Sequence, residues 1–155
     1  MISDINGAAD VFQGLYESSN GGDGFVSVEV DPRLAHDGSG TLSAARRLHE
    51  AVNRSNVMIK IPATQEGVPA IREMIAEGRN VNVTLIFSLS RYQDVMNAYI
   101  DGIEQRVESG LSPAGISSVA SFFISRVDNE IDKRLNALGT SDALALRGTA
   151  AVNQA

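Results

Sequence analysis

Among the thirteen basic residues only two are lysines, and one of them, Lys60, lies within the apolar run Val57-Met58-Ile59-Lys60-Ile61. That run has the short, β-branched character of a buried parallel strand. The other lysine, Lys133, falls in a polar helical stretch, an ordinary solvated position. Arginine supplies the remaining basic residues, so a lysine kept in an apolar strand points to a use for the amine itself. Removal from water favours the neutral form of an amine, and a neutral amine attacks a carbonyl to form a Schiff base. The pattern alone leaves other readings open. A lysine can snorkel out of a strand end, and an ion pair with Glu29 is the commoner explanation for two opposite charges in such a place.

Alternation along the neighbouring runs supplies partners for that amine. Val26, Val28 and Val30 share one face, with Ser27 and Glu29 on the other. Val57, Ile59 and Ile61 lie opposite Met58 and Lys60, and Val81, Val83 and Leu85 lie opposite Asn82 and Thr84. Glu29, Lys60, Asn82 and Thr84 thus form one polar set across three strands. Glu29 would relay protons with a water, whereas Asn82 and Thr84 would hydrogen-bond a substrate or that water. Taken singly, Glu29 is more often a salt-bridge partner, and Asn82 and Thr84 are more often satisfied within the protein. Ser121 is a fifth candidate, of ambiguous parity because Ser117, Ser118 and Ser121 put hydroxyls on both faces. Arg126 opens a helical stretch after the fourth strand, where guanidinium and helix N-terminus together suit a phosphate; pairing with Asp128 or Glu130 is the plainer alternative.

The elements that position this set read as four strands, residues 24–30, 57–61, 81–87 and 116–122, alternating with helices. The helical spans are 41–54, 68–77, 88–109 and 124–138, with a further helix from Ser141 towards the C-terminus. An opening helix runs through Tyr16, with Ser3 as its N-cap and Ile5, Ala8, Ala9, Phe12 and Leu15 inward. The inward stripes include Ala51 in the second helix, and Leu89, Tyr92, Ile100 and Val107 in the fourth. Strand–helix alternation implies parallel strands with right-handed crossovers. The polar faces favour a barrel interior over a doubly wound sheet, with the site near the strand C-terminal ends. The Gly-rich run Ser18–Gly24 leads into a strand rather than a helix, so it is a turn and not a phosphate loop.

Composition narrows the function classes. The 155 residues suit one domain, 43% apolar and 21% charged. A net charge of −6, with no basic cluster beyond Arg46-Arg47, argues against nucleic acid as a partner. There is no cysteine, which removes disulfides and thiolate chemistry and fits a cytoplasmic protein. No apolar stretch reaches the ~20 residues of a membrane span. His36, in a loop, and His49, on a solvated helical stretch, lack metal-ligand spacing, so no metal is expected.

Four motifs in order resemble the transaldolase family. Val26-Ser27-Val28-Glu29-Val30-Asp31-Pro32-Arg33-Leu34 is similar to the family's third-strand motif. Ile59-Lys60-Ile61-Pro62-Ala63-Thr64-Gln65-Glu66-Gly67 resembles the fourth-strand motif with the Schiff-base lysine. Asn82-Val83-Thr84-Leu85-Ile86-Phe87-Ser88 is similar to the fifth, and Ser121-Phe122-Phe123-Ile124-Ser125-Arg126 to the sixth. The resemblance implies catalytic Lys60, Glu29 and Thr84, substrate-binding Asn82, Ser121 and Arg126, sugar-phosphate substrates and no cofactor. It implies transfer of a dihydroxyacetone unit in the pentose phosphate pathway. Other Schiff-base aldolases, acting on deoxyribose phosphate or fructose 6-phosphate, share the lysine logic and match fewer motifs. A full (β/α)₈ barrel needs roughly 200–250 residues. The expectation is therefore a single partial TIM-barrel domain over residues 1–155, an internal piece lacking the first two and last two strands and the family's first-strand aspartate. Such a half-barrel would be inactive by itself and would self-associate through open sheet edges.

Overall fold

In a computed structural model, which describes residues 1–154, four parallel strands lie in the order β1-β2-β3-β4. They are β1 (Val26–Glu29), β2 (Val57–Pro62), β3 (Val81–Ile86) and β4 (Ser118–Phe122). The helices are α1 (Ile2–Ser18), α2 (Gly38–Val52), α3 (Gly67–Ala76), α4 (Leu89–Glu108), α5 (Ile124–Leu138), α6 (Ser141–Ala145) and α7 (Ala150–Gln154). Sequential order with right-handed crossovers puts the intervening helices on one face of the sheet. A doubly wound sheet needs a reversal of strand order, and there is none. The chain is a four-stranded α/β piece of TIM-barrel type.

The helix-covered face is the core. Val28, Val30, Val57, Ile59, Ile61, Val81 and Val83 are buried there against Ala45, Val52, Ile71, Met74, Ile75 and Val95. The α3 and α4 backbones approach closely at Gly102, where a Cβ would come 2.7 Å from the Arg72 carbonyl oxygen. Asp37 caps α2 by accepting the Gly40 N–H at 2.8 Å, and Ser88 caps α4 by accepting that of Arg91 at 3.2 Å. Asn53 ends α2 in the left-handed region, φ 48°.

Several expectations are corrected. The first helix starts at Ile2 with Met1 as its N-cap, so Ser3 lies inside it. Only Ala9 of its inward set is buried; Phe12 and Leu15 are exposed, as are Ala51 in α2 and Leu89, Tyr92, Ile100 and Val107 in α4. These positions continue the apolar stripes, but the single sheet is too narrow to cover them. The C-terminal helix is divided in two, with Gly148 at φ 71° between α6 and α7. The first strand starts two residues later than expected, because Gly24 adopts φ 80° against the Tyr16 backbone.

Alternation fails at one place. Leu85 has φ 61°, and the β3–β4 register shifts between Val83 and Ile86, where Thr84 and Leu85 together oppose the single residue Ser121. The extra residue is a β-bulge. Ile86, not Leu85, therefore joins the buried core.

Candidate active site

The uncovered face of the sheet carries the polar set. Glu29 and Lys60 are register partners on β1 and β2, and Lys60 and Asn82 are partners on β2 and β3. Three candidates thus stand in one row across three strands. The Lys60 Nζ lies 3.6 Å from Glu29 Oε2. Asn82 donates from Nδ2 to Ser27 Oγ at 3.0 Å, and Ser121 donates from its hydroxyl to Asn82 Oδ1 at 2.8 Å. The ambiguity at Ser121 is resolved: its hydroxyl belongs to this face. The Ser27–Asn82–Ser121 chain crosses the sheet beside Lys60, and Met58, on the same face two residues earlier, is buried.

Thr84 stands one pair further along β3, opposite Pro62. It is wholly buried, and its Oγ1 has no hydrogen-bond partner among the described residues. No direct hydrogen bond joins it to Glu29 or Asn82. A buried hydroxyl without a partner is costly unless a water or ligand reaches it.

Arg126 is placed in the first turn of α5 with its guanidinium 4.2 Å over the Phe123 ring, and Phe123 stacks on Phe87 at 5.8 Å between centroids. Neither expected carboxylate takes it. Asp128 accepts the Ala151 N–H and Glu130 accepts from Arg134.

The burial expected of the lysine is only partial. Its side chain is 28% exposed and that of Glu29 is 45% exposed. The cause is architectural: the core-side neighbours of Lys60 are covered by helices, whereas its own face is walled by four strands only. These strands do not by themselves make a closed, water-poor chamber around the amine.

The loop above Glu29 is organised by Asp31. Its carboxylate accepts the Arg33 N–H at 2.9 Å, capping the short 3₁₀ turn Pro32–Leu34, and pairs with the Arg33 guanidinium. That guanidinium, followed by the backbone N–H, holds the Asp31 pKa down at about 2. This turn lies in the loop expected around His36 and is too short for spacing to reveal. His36 stands 3.4 Å from Glu66. His49 is part-buried rather than solvated, and burial lowers its pKa, helped by the nearby Arg79 charge. Among the described residues no group of three His, Asp or Glu side chains is placed to hold a metal ion.

Two residues of structural weight had escaped sequence reasoning. Strand alternation marks Ser27 only as a polar-face residue, yet it anchors Asn82. Asn56 is completely buried and donates to the Ala9 and Gly24 carbonyl oxygens at 2.9 and 3.1 Å, tying α1 to the start of β1. Ser27 is one of several polar residues alternating with valines, and Asn56 a polar residue at the edge of an apolar run; both patterns are too common to single out.

Known proteins share this sequence at high identity. It is similar to transaldolase 1 of Streptomyces coelicolor, 60% identical over 153 residues, covering 99% of this chain and 40% of that protein. It is 56% identical over 152 residues to the transaldolase of Thermobifida fusca and 53% identical over 152 residues to that of Kocuria rhizophila; each match covers 98% of this chain and 41% of the relative. The chain thus spans about 40% of the length of the curated relatives it matches. Residues 1–155 match the family described as transaldolase/fructose-6-phosphate aldolase, and the chain belongs to that family.

Proposed function

We propose that this chain carries the Schiff-base half of a transaldolase site, which moves a dihydroxyacetone unit between sugar phosphates. The observation that supports it best is the row Glu29–Lys60–Asn82, one residue from each of three adjacent parallel strands, with Nζ 3.6 Å from the carboxylate. In this reading the neutral Lys60 amine adds to the ketose carbonyl, and loss of water leaves an iminium. That iminium accepts the electron pair released when the adjacent C–C bond breaks, as the hydroxyl of the departing carbon gives up its proton and leaves as an aldehyde. The resulting enamine then adds to a second aldose phosphate, and water hydrolyses the new iminium to free the lysine.

Glu29 takes and returns protons through a water, which the unpartnered Thr84 hydroxyl helps to hold. Asn82 and Ser121 bind substrate hydroxyls, and Arg126 holds the phosphate. No metal or organic cofactor enters, because the lysine supplies the electron sink. In this reading the activity is cytoplasmic and belongs to the pentose phosphate pathway. No helix among the described residues is long and apolar enough to cross a membrane.

A second reading takes the 155 residues alone as a non-catalytic half-barrel that self-associates. The partial exposure of Lys60 and Glu29 supports it, together with the open edges at β1 and β4. The absent strands of the barrel would then be needed for turnover. Incubation with a ketose phosphate, with and without an acceptor aldose phosphate, separates the readings. Transfer product that is lost in Lys60→Ala supports a competent transaldolase. Aldehyde release without an acceptor indicates a simple aldolase. An inert chain that sediments as oligomers supports the half-barrel.

A further inference from the structure

We infer that Ser27 is a positioning residue for the sugar site, holding the Asn82 side chain in place from two strands away. The inference rests on the functional reading above for its consequence, though not for its geometry. Ser27 pairs with Met58 and Asn82 pairs with Lys60, so the 3.0 Å hydrogen bond between them runs diagonally over β2. Strands two apart in a flat sheet are separated by roughly 9–10 Å. A serine and an asparagine meet across that gap only where the sheet is curled towards their face. The bond therefore both requires and reinforces the concavity that gathers the site.

Asn82 is held at both ends. Ser27 Oγ takes one N–H, and the Ser121 hydroxyl occupies one lone pair of Oδ1 at 2.8 Å. A primary amide has two N–H donors and two acceptor positions, so one of each remains for a ligand. A free asparagine rotates about two side-chain torsions, and fixing it in advance lowers the ordering cost of binding. Ser27 is itself exposed, and its neighbours Val26 and Val28 make the core contacts of β1. Loss of its hydroxyl therefore removes the tether and leaves the hydrophobic packing intact.

The test uses the chain with fructose 6-phosphate as probe and two independent readouts. The first is hydrogen exchange of the Asn82 side-chain amide by NMR, without ligand. The second is the fructose 6-phosphate concentration that gives half-maximal borohydride-trapped adduct. Ser27→Ala is expected to accelerate Asn82 amide exchange and to raise the half-saturating concentration about three- to tenfold, the range of one hydrogen bond, at unchanged maximal yield. Ser27→Thr, which keeps the hydroxyl, is expected to restore both. Unaltered Asn82 exchange in Ser27→Ala, or failure of Ser27→Thr to restore it, overturns the inference. If the unmodified chain forms no adduct, the Schiff-base reading fails for this chain, and the exchange measurement alone decides whether Ser27 tethers Asn82.

Discussion

Lys60 and Glu29 are register partners on adjacent parallel strands, and their charged ends meet 3.6 Å apart on the face that no helix covers. With both side chains in partial contact with water, the pair contributes little to folding. Solvent screens it, and ordering two long side chains offsets most of the gain. The stability of the sheet therefore does not account for the lysine, which leaves room for the chemical role proposed above.

Replacing either charge should separate the two roles. Lys60→Met and Glu29→Gln are expected to change unfolding free energy by less than ~1 kcal/mol in urea titrations, the range of partly exposed ion pairs. Lys60→Met should at the same time abolish trapping with a ketose phosphate. A loss above ~3 kcal/mol would mark the pair as a structural, desolvated one.

Asn56 should matter more to folding than either charged residue. Asn56→Leu leaves the Ala9 and Gly24 carbonyl oxygens without their donors in a buried setting. The expected cost is ~1–3 kcal/mol for each oxygen that water cannot reach, measured by thermal or urea unfolding. An unchanged midpoint would mean that water enters the α1–β1 junction freely.

Gly67 closes the loop that follows the lysine strand. Its N–H donates to Thr64 Oγ1 at 3.0 Å, and the Thr64 hydroxyl donates to the Ala35 carbonyl oxygen at 2.6 Å. A Cβ there would fall 2.1 Å from the Pro62 carbonyl oxygen, a backbone atom that cannot rotate aside. Gly67→Ala is expected to destabilise by ~1–3 kcal/mol through overpacking. Gly7→Ala, a helical site with no atom near the added methyl, is the control and should lose nothing.

The Asp31 carboxylate gives a pH signature. Its folded-state pKa of about 2 lies below the ordinary 3.8, chiefly through the Arg33 guanidinium. A depressed acid pKa stabilises the folded state above the unfolded value, and that contribution is lost as pH falls from 3.8 through about 2. Carboxyl NMR titration should find Asp31 ionising near 2, and Arg33→Ala should return it towards 3.8. An Asp31 titration that Arg33→Ala leaves in place would refute the pairing.

Much of this arrangement was legible from residue order. Valine and isoleucine alternating with Ser27, Glu29, Lys60 and Asn82 gave the strands, their parallel pairing and the face on which the site lies. The third strand misled because Leu85 is apolar and regularly spaced, yet its φ of 61° shifts the alternation, which only backbone geometry reveals. Ser3 resembled an N-cap, but helical bonds begin one turn-fraction earlier, at Met1. The inward set Phe12 and Leu15 depended on what lies beside β1, which local periodicity does not encode. The Arg126–Phe123 stack and the Ser27–Asn82 bridge arise from tertiary proximity, so no spacing rule could announce them.

The most direct test of the account is the position of the covalent adduct. The chain has two lysines, so peptide mapping after borohydride reduction with fructose 6-phosphate has two possible lysine destinations. Label is expected on Lys60 and none on Lys133. Label distributed equally between them, or found on Lys133 alone, would contradict it.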